Sequence, residues 1–204
     1  MTKEVLEHLT QADKRLGKLI QQVGSCQFKL KNHRSPFQAL VESVAYQQLN
    51  GTAAATILGR VKALYPQRRF PTPEDLLNTP DELLRGAGLS RAKTAAIKDI
   101  ARQTLAGVVP TSRAISRLTD VQIIERLTVV RGVGPWTVEM LLIFTLGRPD
   151  VLPVTDYGVR KGFALTYGWK ELPSPNELRE FGERWRPYRS TAAWYFWRAL
   201  ELPR

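Results

Sequence analysis

Helix-start signals recur along this chain, each followed by apolar residues at helical spacing, and no stretch alternates polar with apolar residues long enough to read as a strand. That pattern constrains the fold more than any other feature. A serine or threonine oxygen just before a helix accepts one of its orphan N–H groups, and proline suits the first helical position, where its missing N–H is not needed. Ser35-Pro36 opens such a helix, with Phe37, Leu40, Val41, Val44 and Ala45 as its apolar stripe. A second begins at Thr52, after Asn50-Gly51, and carries Ile57, Leu58, Val61 and Leu64. Thr72-Pro73-Glu74-Asp75 and Thr79-Pro80-Asp81-Glu82 each read as a cap followed by first-turn acids, the second segment stopping at Gly86 or Gly88. Ser90 caps a helix over 91–106 that Gly107 ends. Further helices are predicted over 119–127, 135–146, 156–167, 174–185 and 188–200, and the charged stretch 1–16 also reads as helical. The predicted class is all-α.

With 204 residues the chain suits a single unit over 1–204 made of two helical lobes flanking a cleft. Its 43% hydrophobic and 24% charged residues can build a real core. No apolar run is long enough to span a membrane, and the N-terminus lacks the apolar segment of an export signal. The single cysteine, Cys26, excludes an internal disulfide framework and a multi-cysteine zinc or iron–sulfur site. A monomer working in the cytoplasm, nucleoid-associated in a prokaryote, is expected. The net charge of +11 favours polyanions, because Lys and Arg displace counterions from phosphates. Between Lys29 and Pro73 the sole acid is Glu42, against Lys29, Lys31, Arg34, Arg60, Lys62, Arg68 and Arg69, so a basic face is expected there.

The most informative stretch runs from Leu127 to Met140 and includes Gly132-Val133-Gly134-Pro135-Trp136. Two helices are predicted to meet through a tight turn, within a hairpin spanning about 120–147, with Pro135 starting the second. Glycines permit positive φ and let backbone approach a bulky group, while free N–H groups and the helix dipole at the next helix start suit a phosphate. Such a hairpin grips a nucleic-acid backbone without reading sequence. On Gly-x-Gly alone an ordinary helical-hairpin turn is the better reading.

Several motifs in order resemble the helix–hairpin–helix DNA glycosylase superfamily, and within it the 3-methyladenine DNA glycosylase II family. They are Tyr46-Gln47-Gln48-Leu49, Gly88-Leu89-Ser90-Arg91-Ala92-Lys93, the glycine hairpin with Trp136, Pro153-Val154-Thr155-Asp156 and the closing run Arg186 to Trp197. Longer relatives carry an extra β-rich N-terminal domain, and the resemblance here is to the compact helical core. It implies excision of alkylated bases from double-stranded DNA by a monofunctional hydrolase of base excision repair, with no cofactor required.

Asp156 alone reads as a helix N-cap. The resemblance implies that it is the catalytic carboxylate, and a fixed negative charge there would stabilise an oxocarbenium-like sugar and orient the attacking water. No lysine lies between Arg131 and Gly147, where relatives that also cut the backbone hold a Schiff-base lysine, so water is the expected nucleophile. A flipped base needs a pocket. Trp136, Trp197, Tyr157 and Tyr46 are its candidates, against the plain alternative of core packing. Gly132, Val133, Gly134 and Thr137 are expected at the DNA backbone. Leu49 is the candidate for the apolar wedge that fills the vacated stack, with Gln48 and Asn50 sharing the task, against a buried leucine. The resemblance further implies that the carbonyls of Thr128, Val130 and Val133 hold a monovalent or divalent cation bridging to phosphate. His8, His33 and Cys26 read as structural or surface residues. Rival functions are a glycosylase for uracil or hypoxanthine, a nonenzymatic hairpin module that binds distorted DNA, and an RNA-binding scaffold.

Overall fold

The computed structural model describes residues 2–28, 30, 35–49 and 51–203. Asn50, His33, Lys29, Lys31 and Arg34 lie outside the described residues. In chain order the helices are α1 (Lys3–Ala12), α2 (Lys14–Val23), α3 (Pro36–Tyr46), α4 (Gly51–Ala63), α5 (Pro73–Asn78) and α6 (Asp81–Gly86). There follow α7 (Arg91–Leu105), α8 (Ser112–Ile115), α9 (Asp120–Leu127), α10 (Pro135–Phe144), α11 (Tyr157–Tyr167), α12 (Pro175–Phe181) and α13 (Arg189–Ala199), with a 3-10 turn over Gly182–Trp185. Among the described residues there is no strand, as the capping pattern predicts. None of the described helices is long and apolar enough to cross a membrane.

The chain divides into two compact units, one of residues 1–30 and 142–204, the other of 31–141. In the first, the N-terminal stretch is helical but in two pieces. Asp13 starts the second piece: its Oδ1 accepts the N–H groups of Arg15 and Leu16 at 3.0 and 3.1 Å. Its Oδ2 accepts the Tyr167 hydroxyl at 2.5 Å and the Trp185 indole N–H at 3.2 Å, so the buried carboxylate is fully partnered. Around it Phe163, Phe181, Trp185 and Phe196 pack edge to face or tilted. His8 is tied down too, its ring nitrogen bonding the Arg186 carbonyl at 2.8 Å. A Cβ at Gly162 of α11 would lie 1.9 Å from the Phe196 carbonyl oxygen, so only glycine lets α13 come this close. Gly158 lies one turn earlier on the same face of α11.

In the second unit α3 and α5 both pack on α7, and α4 packs on α3. Leu40, Val41 and Val44 of α3, Leu58 and Val61 of α4, Leu76 of α5, and Ile97 and Ile100 of α7 are buried there. Thr72 caps α5 as predicted, and the structure adds a capping box with Asp75. Thr79 does not open the next helix: its N–H and hydroxyl both donate to the Asp75 carbonyl, at 3.1 and 2.7 Å, so it closes α5. Pro80 takes the capping position of α6 with no side-chain bond. The Thr79 hydroxyl also meets the Tyr65 hydroxyl at 2.7 Å, so its contacts lie with Tyr65 and α5 and not with α6. The single turn α8, capped by Thr111, has no apolar period to announce it. The helix over 174–185 stops being α-helical at Phe181 and tightens into the 3-10 turn.

Candidate active site

Asp156 caps α11, its Oδ1 accepting the Val159 N–H at 2.8 Å. The same oxygen accepts the indole N–H of Trp197, from α13, at 2.9 Å. The approach depends on Gly158, where a Cβ would sit 2.8 Å from Trp197 Cδ1 and 3.1 Å from both Trp197 Nε1 and Asp156 Oδ1. Trp197 continues into an aromatic row: Phe144 lies tilted beside it at 5.5 Å, and Phe28 stacks on Phe144 at 5.4 Å. Phe28, Phe144, Asp156 and Trp197 are all partly buried within the first unit. Tyr157, beside them in sequence, is 66% exposed. A carboxylate held by two N–H groups beside apolar rings is fixed in direction, and can stabilise developing positive charge or orient a water. Sequence reading missed Phe28 and Phe144. Phe144 ends the apolar run Met140–Phe144, where nothing separates it from core, and Phe28 follows no periodic element at all.

The glycine hairpin belongs to the second unit. After α9 the Val130 N–H donates to Leu127 O and the Val133 N–H to Val130 O, both at 3.1 Å, which closes a tight turn. Gly132 has φ +77°, and a Cβ there would lie 2.7 Å from the Ala96 Cβ of α7. Gly134 differs from the expectation: its φ is not positive, and a Cβ there would meet nothing within 4 Å. The loop is further fixed by Asp99, whose Oδ2 accepts the Arg131 N–H at 2.9 Å. α10 then starts at Pro135 with its N-terminal turn beside Gly134, the place where a helix favours an anion. Trp136, second in that helix, keeps part of its indole exposed. Val133 is buried, and so is Thr137, at 2% exposure, its hydroxyl accepting the Gln47 side-chain N–H at 3.2 Å. A role for Thr137 at DNA therefore cannot use its hydroxyl. The Val130 carbonyl, bonded once by Val133, keeps one of its two lone pairs. Among the described residues no group of three His, Cys, Asp or Glu side chains could hold a metal ion.

Leu49 is 40% exposed, which removes the plain core alternative for it. Gln48 and Tyr46 are exposed beside it, and Gln48 has φ +56°, in the left-handed region that a non-glycine residue seldom adopts. Of the basic residues expected on that face, the described ones are Arg60, Lys62, Arg68 and Arg69. Lys62 pairs with Glu42 at 3.8 Å and Arg68 with Asp75 at 3.0 Å, while Arg60 and Arg69 stay exposed.

A family model described as HhH-GPD superfamily base excision DNA repair protein matches residues 41–187. A DNA-3-methyladenine glycosylase of Schizosaccharomyces pombe is 36% identical over 196 residues, covering 96% of this chain and 86% of that protein. The solved structure of the S. pombe 3-methyladenine DNA glycosylase in complex with abasic DNA superimposes with a TM-score of 0.90 at 35% identity, covering 98% of each chain. A DNA-3-methyladenine glycosidase structure from Bacillus halodurans gives a TM-score of 0.84 at 35% identity, over 96% of this chain and 88% of the other.

Proposed function

Because the chain belongs to the HhH-GPD superfamily of base excision DNA repair proteins, we propose that Asp156 is the carboxylate with which it hydrolyses the N-glycosidic bond of alkylated bases in duplex DNA. The carrying observation is the fixed Oδ1 of Asp156, gripped by Val159 and Trp197 beside the Phe144–Phe28 row. As the bond to the base breaks, the deoxyribose becomes cationic, and a carboxylate that need not reorient lowers that barrier. It also aligns the attacking water. Electron-poor alkylated bases favour stacking on aromatic rings. Trp197 and its two phenylalanine neighbours supply such rings, with Tyr157, Trp136 and Tyr46 as further candidates.

The hairpin residues Gly132, Val133 and Gly134 and the start of α10 hold a DNA phosphate, Thr137 by its first-turn backbone N–H and not by its hydroxyl. Leu49, flanked by Gln48 and Asn50, fills the gap left by the flipped nucleotide. Any cation at the hairpin would sit on the carbonyls of Thr128, Val130 and Val133, where Val130 retains a lone pair. Its contribution would be charge bridging to phosphate. The chemistry needs no other cofactor, and the protein acts as a monomer in the cytoplasm, nucleoid-associated in a prokaryote. The names of the S. pombe and B. halodurans relatives point to 3-methyladenine-type substrates.

An excision assay across duplexes carrying alkylated adenine, hypoxanthine, uracil or ethenoadenine tests this. Release of the alkylated base is expected fastest, leaving an intact abasic site and no adduct trapped by borohydride, since no lysine follows the hairpin before Gly147. Preference for uracil, or a strong trapped band, would contradict it.

A further inference from the structure

The end of α3 is held by a cation from another helix. Lys93, in the first turn of α7, donates from Nζ to the carbonyl oxygens of Ala45 at 2.8 Å and Gln47 at 2.7 Å. The last carbonyls of a helix lack partners of their own, and a bond from an ammonium is of the strong, charge-assisted kind. Nothing in α7 itself favours this side chain there. An ammonium in the first turn opposes the dipole of its own helix, and burial pulls Lys93 below the ordinary lysine range. The two carbonyls of α3 and its exit loop account for the position.

Gln47 makes a second tie, its side-chain N–H groups donating to the Gly132 carbonyl at 3.1 Å and the Thr137 hydroxyl at 3.2 Å. Immediately after it the backbone turns through the left-handed Gln48, and the Leu49 N–H returns to the Tyr46 carbonyl at 3.3 Å. All these groups belong to the second unit. We propose that Lys93 and Gln47 are positioning residues, Lys93 tying the base of the Gln48-Leu49 tip to α7 and Gln47 tying it to the glycine hairpin that packs on α7, so that the backbone grip and the wedge act as one rigid piece. A wedge ordered before it meets DNA loses little entropy on entering the stack. The proposal rests on the reading of Leu49 as the wedge.

Two measurements on the full chain separate the tie from the wedge. In the free protein, Lys93→Met should speed amide hydrogen exchange over 46–49 by about ten-fold, the scale of a lost charge-assisted bond, and leave α9 unchanged. Single-turnover excision is then read on a duplex with one 7-methylguanine, either paired with cytosine or facing a gap. Lys93→Met should slow the paired duplex by about ten-fold and the gapped one far less, and Lys93→Arg, which still donates, should recover most of the loss. Leu49→Ala should show the same dependence on pairing, and the double variant should be no slower than Leu49→Ala alone. Lys93→Gln, a shorter neutral donor, replaces the methionine variant if that does not fold. Unchanged exchange over 46–49, or equal rate losses on both duplexes with a global fall in stability, overturns the tie. Faster exchange together with a Leu49→Ala variant indifferent to pairing instead overturns the wedge reading, and with it the purpose assigned to the tie.

Discussion

At Asp156 one oxygen serves as a helix cap and is held by a second helix at once. The sequence offers helix cap and catalytic carboxylate as competing explanations, yet the Oδ1 that accepts the Val159 N–H also accepts Trp197 Nε1. Asp156 and Trp197 could be named from motif positions, but their bond could not, since it joins α11 to α13 through a gap that Gly158 leaves. Phe28 and Phe144 were illegible for a related reason: their rings meet only in the folded unit. Gly158→Ala should therefore cut excision by about ten-fold or more by pushing Trp197 off Asp156. Its melting temperature should hold within a few degrees, because alanine is the better helix former by about 1 kcal/mol and offsets part of the crowding. Single-turnover rates alongside thermal melts check this, and a fully active variant would mean that the indole contact does not set the carboxylate's direction.

Among the elements, capping chemistry made most of the helices legible, because a hydroxyl three residues before an N–H acts locally. Ser35, Ser90, Thr119 and Ser174 all cap as their sequences imply. Local signals failed at Asp13, whose capping role is inseparable from Tyr167 and Trp185, and where two local roles compete, as at Thr79, which closes α5 onto Asp75 instead of opening α6. The hairpin divides the same way. Its two glycines look equivalent in sequence, but Gly132 is needed by the protein and Gly134 is not crowded by it. Gly132→Ala should cost about 1–2 kcal/mol from the left-handed backbone alone, before the contact with Ala96 is counted. Gly134→Ala should leave the melting temperature near that of the parent and weaken duplex binding, because its Cβ would occupy the space that a phosphate approaches. Melts and binding titrations of the two variants test the contrast, and full duplex affinity in Gly134→Ala would take the phosphate away from the hairpin.

For the whole molecule, charge and fold class were open to the sequence, whereas the use of the charge was not. The +11 excess remains, but part of the basic run between Lys29 and Pro73 is spent on pairs with Glu42 and Asp75. Duplex affinity should fall linearly with log salt, each neutralised phosphate adding about 0.9 to the slope, and be indifferent to sequence. A flat salt profile on undamaged duplex would rule out backbone gripping. If gripping lies with residues of the 31–141 unit and bond cleavage with Asp156 of the other, one substitution should separate the two activities. Asparagine caps a helix about as well as aspartate, which keeps the Asp156→Asn protein folded. It cannot supply negative charge to a cationic sugar. Single-turnover excision of an alkylated base by Asp156→Asn should fall by about two to three orders of magnitude while the affinity for the same duplex stays within a few-fold of the parent. Excision within a few-fold of the parent, at equal affinity, would contradict the assignment of the chemistry to Asp156.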